Sequence, residues 1–403
     1  MRIESDRTME HTEQTPLDGA QKRGIKVCHV TSAHTSDDTR ILHKECRSLA
    51  EAGYDVLLVA PGASRVDGNV TVVGCGEKPV GRFQRIFRYA RKVCKTAQRL
   101  DADVYHLHDP ELLAHIGLFL SGKKKVIFDS HEDYSFEKMY LPKPVRKAVK
   151  LGYLLFERDI AKRVDGVVCC YQATMDRMKP YCRNIEFVYN FPIITEDMRH
   201  PRTVADAAHD VFALGYAGGV DSTWSHETVV AALAGMENVS YVLAGNADPA
   251  FIEKLKAMPG GEHVRFLGKI PFARVRGDIY EKADVGIALS AYIEQCGTYG
   301  NLANTKLFEI MKEGLPVIAT DFVLWKGVVE EGDCGVCVCP SDVDAVRSAI
   351  NRMREHPEER RRMGENARRL IYEKYNWQSD CKKLFKLYDA VCRGMGTNGG
   401  SAL

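Results

Sequence analysis

Short apolar runs alternate repeatedly with helical stretches along this chain. The first block starts at Ile25 with IKVCHVTS, YDVLLVAPG and NVTVVGC, and continues with DVYHLHD, KKVIFDSH and DGVVCC. Short apolar runs that alternate with helices predict a parallel sheet covered by helices on both faces. Residues 25–190 are therefore expected to form one doubly wound, Rossmann-like domain.

A second block repeats the rhythm. It contains VFALGYAGG, VSYVLAG, HVRFLGKI, ADVGIALS, LPVIATD and CGVCVCP, and predicts a second Rossmann-like domain over residues 212–372. Residues 191–211 are polar and contain prolines, which favours a linker. Residues 373–395 have helical spacing, and residues 1–24 show no apolar periodicity and are expected to be a flexible tail.

Composition narrows the class of protein. The chain has 403 residues, is 45% hydrophobic and 27% charged, and carries a formal net charge of +2. These values fit an ordinary globular enzyme and argue against a nucleic-acid partner. No apolar stretch approaches the roughly 18 residues that a membrane span needs, so a cytoplasmic location is expected.

Thirteen cysteines are scattered and odd in number, which favours reduced, buried thiols. Cys334, Cys337 and Cys339 have one zinc-like spacing, but no second Cys or His pair follows. Alternation along a strand explains the cluster better, and we predict no metal site.

A helix that opens after a strand and a turn rich in Gly and Asn predicts a phosphate site. Its unpaired first-turn amides and positive dipole end would hold a diphosphate, with Lys306 adding a charge. Glu309, one turn later, would reach the ribose hydroxyls. The alternative is an ordinary αβ unit with a charged surface helix. The turn and the helix start contribute these further donor-binding candidates: Asn301, Asn304, Thr305 and Leu307.

Two other strand ends complete the predicted donor site. Gly218 and Gly219 end VFALGYAGG before a helix, and glycines there let a ligand approach the backbone. Lys269 and Pro271 follow FLGKI, where a flat base would rest against the backbone. The alternative for that loop is a simple turn.

In the first block, Arg40 lies in the loop after the first strand and would point across a cleft to the donor phosphates. A surface ion pair with Asp37 or Asp38 is the alternative. His108 and Asp109 would face the cleft as acceptor-side residues, with His106 packed. A metal bound by the two histidines and the aspartate is disfavoured, because residues 108 and 109 need different orientations at a turn.

His131 and Glu132 end the strand VIFDSH and form the best acid or base candidate of this half. A buried, hydrogen-bonded histidine is the competing interpretation. The pair Asp101 and Asp103 mimics a metal-binding Asp-x-Asp, but it precedes its strand and so lies at the wrong edge.

Residues 82–99 form a basic amphipathic helix pattern, with seven Arg and Lys and no acid. Its apolar positions fall near one predicted face, which contains Phe83, Phe87, Ala90, Cys94, Ala97 and Leu100. The pattern fits peripheral contact with an anionic membrane and fits a core helix with a basic solvent face equally well.

Taken together, the motifs DDTRILHKECRSLAEAGYDV, DVYHLHDPELL, VIFDSHEDY, GYAGGV and NTKLFEIMKEGLPVIATD, with the closing YNW, resemble glycosyltransferase family 4, especially its bacterial surface-polysaccharide branch. The resemblance implies a GT-B fold, in which two Rossmann-like domains face a central cleft and the last helix crosses back to the first domain. It also implies a reaction that retains anomeric configuration and needs no metal ion.

By this resemblance, Glu309 matches the second glutamate of a pair separated by seven residues, and holds the donor ribose. Asn301 stands at the first position, where the family's glutamate contacts the donor sugar. The family usually carries Arg-Gly or Lys-Gly after its glycine pair, whereas this chain has Val220 and Asp221 there. One phosphate ligand is therefore missing, and Lys306, Arg40 or the helix amides are expected to compensate.

The sequence thus predicts a hexosyltransferase that uses a nucleotide diphosphosugar, UDP-linked rather than GDP-linked, as a cosubstrate without a cofactor. Lys306, Arg40, His131 and Glu309 are the predicted catalytic residues. The acceptor is a glycan, lipid-linked or small-molecule hydroxyl, and the protein would work in the cytoplasm or at the inner face of the membrane. The alternatives are a nucleotide-sugar 2-epimerase and a noncatalytic, nucleotide-sugar-binding partner subunit of another transferase.

Overall fold

The computed structural model describes residues 24–120, 124–131, 142–195, 211–293 and 297–393. Nearly all of the tail predicted over residues 1–24, most of the linker predicted over 191–211, and the candidate Glu132 lie outside these ranges. The structure confirms the α/β class, because two largely parallel sheets are interleaved with helices.

Fourteen strands occur in the described residues. They are β1 (Lys26–Val30), β2 (Asp55–Ala60), β3 (Arg65–Asp67), β4 (Val70–Gly74), β5 (Val104–Leu107), β6 (Lys125–Ser130), β7 (Gly166–Cys169), β8 (Ile185–Phe187), β9 (Phe212–Ala217), β10 (Val239–Ala244), β11 (Val264–Phe266), β12 (Val285–Ala288), β13 (Val317–Thr320) and β14 (Gly335–Val338).

The α-helices of the described residues are α1 (Arg47–Glu51), α2 (Arg82–Gln84), α3 (Ala90–Arg99), α4 (Pro110–Leu113), α5 (Lys143–Arg163), α6 (Gln172–Met178), α7 (His226–Leu233), α8 (Pro249–Ala257), α9 (Phe272–Asp278), α10 (Thr305–Lys312), α11 (Val323–Val329), α12 (Val343–Glu355), α13 (Pro357–Glu373) and α14 (Trp377–Val391). Segments with π-helical hydrogen bonding, Thr39–Cys46 and Arg85–Tyr89, lead into α1 and α3.

The first sheet has the strand order β3-β4-β2-β1-β5-β6-β7-β8. Strand β1 lies at its centre, pairs in parallel with β2 and β5, and aligns Val27 with Val56 and Val104. The β3–β4 pair is antiparallel and lies at one edge. The central strands are almost fully buried, which explains why they read as continuous apolar runs rather than as alternating ones.

The second sheet is parallel and has the order β11-β10-β9-β12-β13-β14. Counted along the chain from β9, this is the order 3-2-1-4-5-6 of a doubly wound dinucleotide-binding fold. Strands β10 and β11 are added on one side of β9, and strands β12 to β14 on the other, so the order of strand addition reverses between β9 and β12. In such sheets, ligands bind outside the carboxyl ends of the strands at that switch point.

Contacts divide the chain into two compact units. Unit 1 comprises residues 1–128 and 388–403, and unit 2 comprises residues 129–387. The end of α14, from Tyr388, is thus counted with unit 1, where the Tyr388 hydroxyl lies 2.9 Å from His106 Nδ1. The domain limits written from the sequence stay predictions.

The basic helical region over 82–99 differs from its predicted pattern. Ala90, Cys94 and Ala97 are buried as expected, but Phe83 and Phe87 are 77% and 57% exposed. The π-helical turn at Arg85–Tyr89 explains the difference, since its extra residue per turn rotates the preceding residues away from the face that α3 buries.

The described cysteines are all free, in line with the expected reduced state. Cys334 is buried, whereas Cys337 and Cys339 are partly exposed. In the part of the chain that the structure describes, no helix is both long and apolar enough to cross a bilayer.

Candidate functional site

The carboxyl end of β9, at the switch point of the unit 2 sheet, carries the glycine pair. At Gly218 a Cβ would clash with Lys306 Cε and would lie 2.8 Å from the Tyr216 hydroxyl. The Tyr216 hydroxyl donates a hydrogen bond to the Gly219 carbonyl oxygen at 2.7 Å. Gly218 therefore leaves room for the Lys306 side chain at the end of the strand, whereas the sequence predicts that it lets a ligand approach the backbone.

Gly245 follows β10 and supports the same loop. It has φ +147° and lies so close to the Gly218 carbonyl that a Cβ would clash there. Its amide donates to the Gly268 carbonyl oxygen at 2.9 Å. Close backbone approach at neighbouring strand ends thus shapes this edge of the sheet.

The Lys306 side chain crosses this edge and is partly buried. Its Nζ lies 4.3 Å from the centroid of the Trp224 ring. Burial lowers the pKa of the ammonium, and the negative charge of Asp221 partly opposes this shift. The side chain is held at the switch point, where an anionic ligand would restore the charge stabilisation that burial removes.

The start of α10 is capped by Asn304. Its side chain accepts a hydrogen bond from the Lys306 amide at 3.1 Å, so this amide is engaged by the protein. Of the first-turn amides predicted to hold a phosphate, those of Thr305 and Leu307 remain as candidates, because they lack intrahelical acceptors. The Leu307 side chain is fully buried, so only its backbone can serve a ligand.

Glu309 and Asn301 lie near this helix start. Glu309 is partly exposed and lies 3.4 Å from Lys312 Nζ. The Asn301 side chain accepts from the Ala303 amide at 3.0 Å, and its carbonyl accepts from Trp325 Nε1 at 2.7 Å. Asn301 thus stabilises the turn that precedes α10.

The loop after β11 carries two donor-binding candidates, whose role stays a prediction. Lys269 and Pro271 are exposed, and Pro271 precedes the first residue of α9. Gly268 has φ +70° and accepts the Gly245 hydrogen bond, so the loop is tied to the end of β10.

Sequence reasoning missed a buried aromatic group under the β9 end. His226 Nδ1 lies 2.8 Å from the Tyr241 hydroxyl, and its ring packs edge-on against Tyr216 at 4.7 Å. Burial lowers the pKa of His226 to about 4, which keeps the imidazole neutral at physiological pH. The signal was weak in the sequence, because a single His at a helix start is common.

Asp109 occupies the corresponding place in unit 1, after β5. Its buried carboxylate accepts hydrogen bonds from the Ser32 and Ala33 amides and from the Thr31 hydroxyl, the last at 2.9 Å. His34 Nε2 lies 3.5 Å from the other oxygen. Asp109 therefore clamps the loop after β1, so the prediction that it faces an open cleft needs correction.

The other polar side chains at the centre of this sheet are also buried. His29 Nδ1 lies 2.9 Å from His108 Nε2, and the Tyr388 hydroxyl lies 3.4 Å from His29 Nε2. His106 is packed, as predicted, but His108 is only 3% exposed. Its predicted exposure to a cleft is wrong for this structure, because it stacks on the other two imidazoles at 5.1 and 4.7 Å.

Arg40 is 4% exposed and lies 2.9 Å from the fully buried Glu45 carboxylate. Its partner is thus Glu45, a residue not considered from the sequence, and the pair is not at the surface. Asp38 instead caps the helix by accepting from the Arg40 and Ile41 amides. The reach of Arg40 to a donor phosphate stays a prediction, and it would require separating a buried guanidinium from its carboxylate, which is costly.

His29, Glu45, His106 and His108 bring potential ligand atoms within 4.8 Å of one another. Three imidazoles and a carboxylate suit a transition metal in principle. Here, however, Arg40 already neutralises Glu45, and a divalent cation would meet a buried guanidinium of like charge. The group fits a hydrogen-bonded network better than a metal centre.

His131 follows β6 and is counted in unit 2. Its Nδ1 lies 3.3 Å from the buried carboxylate of Asp129, and its carbonyl accepts from the Cys170 thiol. The imidazole thus lies beside a buried carboxylate, and both the role as acid or base and the hydrogen-bonded interpretation stay predictions.

Two family models match the chain in sequence order. Residues 39–191 match the model described as Glycosyltransferase Family 4, and residues 209–370 match Glycosyl transferases group 1. Among curated relatives, the MMP alpha-(1->4)-mannosyltransferase of Mycolicibacterium hassiacum is 34% identical over 87 residues, which is 21% of each chain. The first curated relatives are matched over about two fifths of their length or less.

Solved structures match over about nine tenths of the chain. The sucrose-phosphate synthase of Thermosynechococcus elongatus is 18% identical with a TM-score of 0.67, covering 90% of this chain and 98% of that one. Anabaena HepE in complex with UDP and glucose is 16% identical with a TM-score of 0.65, covering 91% and 100%. These likenesses establish the GT-B fold. With both halves matched in order by family models, the chain belongs to glycosyltransferase family 4.

Proposed function

We propose that this protein transfers a sugar from a nucleotide diphosphosugar to a hydroxyl acceptor in glycan or polysaccharide biosynthesis. The observation that carries the proposal is the Lys306 ammonium beside Gly218, at the β9 end of a 3-2-1-4-5-6 sheet. A cation at this switch point suits a diphosphate. Membership in family 4 supports the same reaction class.

In the proposed reaction, the bond between the anomeric carbon and the diphosphate breaks, and negative charge grows on the leaving group. Lys306 and the first-turn amides of α10 stabilise that charge. The acceptor hydroxyl attacks from the same face and its proton passes to the leaving diphosphate, which retains anomeric configuration without a metal ion. Glu309 binds the ribose hydroxyls. Arg40 is not given a part, because it is paired with Glu45.

The N-terminal half is proposed to bind the acceptor, with His131 positioning it. Glu132 stays a candidate from the sequence alone. For the donor, UDP-sugars are favoured over GDP-sugars, and the structure of Anabaena HepE with UDP and glucose supports this choice. The mannosyl specificity in the name of the M. hassiacum relative makes GDP-mannose a necessary arm of the test.

The test is a donor panel of UDP-, GDP- and ADP-sugars with purified protein, with nucleoside diphosphate release as the readout. Lys306→Gln should lower turnover by roughly 100- to 1,000-fold, as for loss of one preorganised charge-stabilising group. Lys254→Gln is the control, since Lys254 is an exposed lysine paired with Glu227 on the surface of unit 2. Equal turnover of Lys306→Gln and wild type would reject the proposed donor site.

The products separate the alternatives. A 2-epimerase would release an isomerised sugar without any acceptor. A noncatalytic partner subunit would bind nucleotide and release nothing with any donor, whatever acceptor extract is added.

Peripheral membrane contact through residues 82–99 is a separate proposal. Exposed Phe83 and Phe87 lie 4.6 Å apart. A cavity of about 400 Å³ next to them is lined by Phe87, Arg88, Arg91, Lys92, Lys95, Thr96 and Arg99, with no acidic side chain. Aromatic side chains beside cations are typical of a helix that lies on an anionic bilayer, here the inner face of the membrane.

Vesicle flotation tests this contact. Phe83→Ser with Phe87→Ser should weaken binding to vesicles that contain 30% anionic phospholipid by roughly tenfold. Val66→Ser, an exposed apolar position of β3 in the same unit, is the control. Equal flotation of the double variant and wild type would reject the contact, and binding to neutral vesicles would reject its electrostatic part.

A further inference from the structure

Trp224 is the aromatic side chain that faces the Lys306 ammonium. It ends a short 3-10 turn, Ser222–Trp224, that begins three residues after Gly219. The ammonium lies 4.3 Å from the centre of the indole, and the Tyr216 ring centroid lies 5.6 Å from that of the Trp224 ring. A lysine at this distance from a tryptophan face makes a cation–π contact.

The loop that carries Trp224 is fixed at several points. The Asp221 carboxylate accepts from the Thr223 amide at 2.9 Å, and the Ala291 amide, after β12, donates to the Thr223 carbonyl at 2.9 Å. Ser225 has φ +45° and ψ +34°, a left-handed conformation that costs a non-glycine residue about 1–3 kcal/mol. The surrounding contacts therefore hold the backbone of the loop that carries Trp224 in place, at the expense of local strain.

This arrangement addresses an electrostatic problem. Burial lowers the pKa of Lys306, a shift that the charge of Asp221 partly opposes, yet the side chain must be charged to bind a diphosphate. A carboxylate in contact would keep the ammonium charged but would compete with an incoming anion. Among the described residues no carboxylate lies within ion-pairing distance of Lys306 Nζ, whereas the indole face stabilises the cation and bears no net charge.

We propose that Trp224 is a positioning residue. It holds the Lys306 ammonium at the β9 end until the donor diphosphate binds and pairs with the ammonium. The inference rests on the proposed function and deepens it. It explains how a chain with Val220 and Asp221 after its glycine pair can present a cation for the diphosphate: Trp224, on the turn after the pair, orients a lysine from a different element.

The proposal predicts an optical signal. The chain contains three tryptophans, of which Trp325 and Trp377 are 1% and 3% exposed, while Trp224 is only partly buried. If the ammonium leaves the indole when a diphosphate binds, the emission of Trp224 changes. UDP and inorganic pyrophosphate should therefore alter the intrinsic fluorescence of wild type, and Trp224→Phe should abolish the change while UDP still binds.

Calorimetric titration with UDP and with pyrophosphate gives the quantitative test. Trp224→Phe keeps an aromatic face and should bind UDP within about threefold of wild type, whereas Trp224→Leu should bind roughly tenfold more weakly. In a Lys306→Gln background, Trp224→Leu should have no further effect, because the group that it positions is gone. Circular dichroism melts identify any variant that fails to fold.

The possible results separate the inference from the function beneath it. If wild type binds UDP and releases it from a donor, but Trp224→Leu binds as wild type does, only the positioning role is wrong. The same holds if Trp224→Leu weakens binding equally in the Lys306→Gln background, which would indicate a direct ligand contact. If wild type binds neither nucleotides nor pyrophosphate, the proposed function fails together with the inference.

Discussion

The switch points of the two sheets have the same strand order but carry different side chains. Around the centre of the first sheet the order is β4-β2-β1-β5-β6, and around the centre of the second it is β11-β10-β9-β12-β13. The strand ends of unit 1 hold a buried carboxylate and three buried imidazoles. Those of unit 2 hold glycines and one lysine that faces an indole.

The difference shows that topology provides a place for a ligand and that side chains decide whether the protein fills it. In unit 1 the Asp109 carboxylate occupies the amides after β1, so the strand ends are joined by the protein's own hydrogen bonds. In unit 2 the glycines remove side chains from the corresponding edge. Substitutions at the strand ends of unit 1 should therefore reduce stability, and substitutions at those of unit 2 should reduce ligand binding.

The largest effect is expected at Asp109. Asp109→Ala leaves the Ser32 and Ala33 amides and the Thr31 hydroxyl buried without their acceptor, and should lower the free energy of unfolding by about 4 kcal/mol. Urea unfolding followed by circular dichroism measures it. Asp67→Asn, at a surface pair with Arg47, is the control and should cost less than about 1 kcal/mol. If Asp109→Ala also lowers the free energy of unfolding by less than about 1 kcal/mol, the strand ends of unit 1 do not have this structural role.

A pH-dependent effect of about 3 kcal/mol is expected at His226. Its pKa is about 4 in the folded protein against 6.5 in the unfolded chain. The unfolded chain therefore binds the proton more readily, so this stability is complete above pH 6.5 and is lost as the pH falls towards 4.

Urea unfolding at pH 7, 5.5 and 4.5 measures this loss. His226→Asn should flatten the acid limb of the stability curve, while the exposed His356→Asn should not. An unchanged acid limb in His226→Asn would show that other groups cause the acid sensitivity.

Gly218→Ala should act on binding. The added Cβ displaces Lys306 at the strand end, and UDP affinity should fall by roughly 20-fold, or about 2 kcal/mol. Gly327→Ala, in helix α11, has room for a Cβ and serves as the control. If Gly218→Ala reduces stability and leaves UDP affinity unchanged, the strand ends of unit 2 have a structural role, as those of unit 1 do.

The smallest effect is expected at Tyr388. Tyr388→Phe removes the hydroxyl that lies 2.9 Å from His106 Nδ1, and should cost about 1 kcal/mol of unfolding free energy without changing UDP affinity. Tyr299→Phe removes an exposed hydroxyl and provides the reference. A change in UDP affinity with no loss of stability would give the unit 1 network a part in binding.

Much of the fold could be predicted from the sequence because apolar periodicity is local. The predicted strand runs from Ile25 and from Val211 agree with β1 and β9, and the helix predicted after the turn rich in Gly and Asn begins after Asn304. Basic helix 82–99 was the exception: its π-helical turn depends on packing, so Phe83 and Phe87 were assigned to the wrong face.

The candidate site was predicted less completely. Gly218 and Lys306 were found from their positions at a strand end and a helix start. Trp224 was passed over, because its importance comes from a side chain 82 positions later in the chain. Arg40 was assigned outward because Glu45 gave no local signal that it would be a buried partner.

The two α/β blocks, the family and the strand ends where ligands would lie can be read from the sequence alone. These follow from periodicity, glycine positions and short motifs, all of which act over a few residues. Which polar groups face one another depends on the folded structure: Asp109 with the loop after β1, Arg40 with Glu45, and Lys306 with Trp224. Burial and pairing depend on distances between residues far apart in the chain, and these distances set both the charge states and the groups left to meet a ligand.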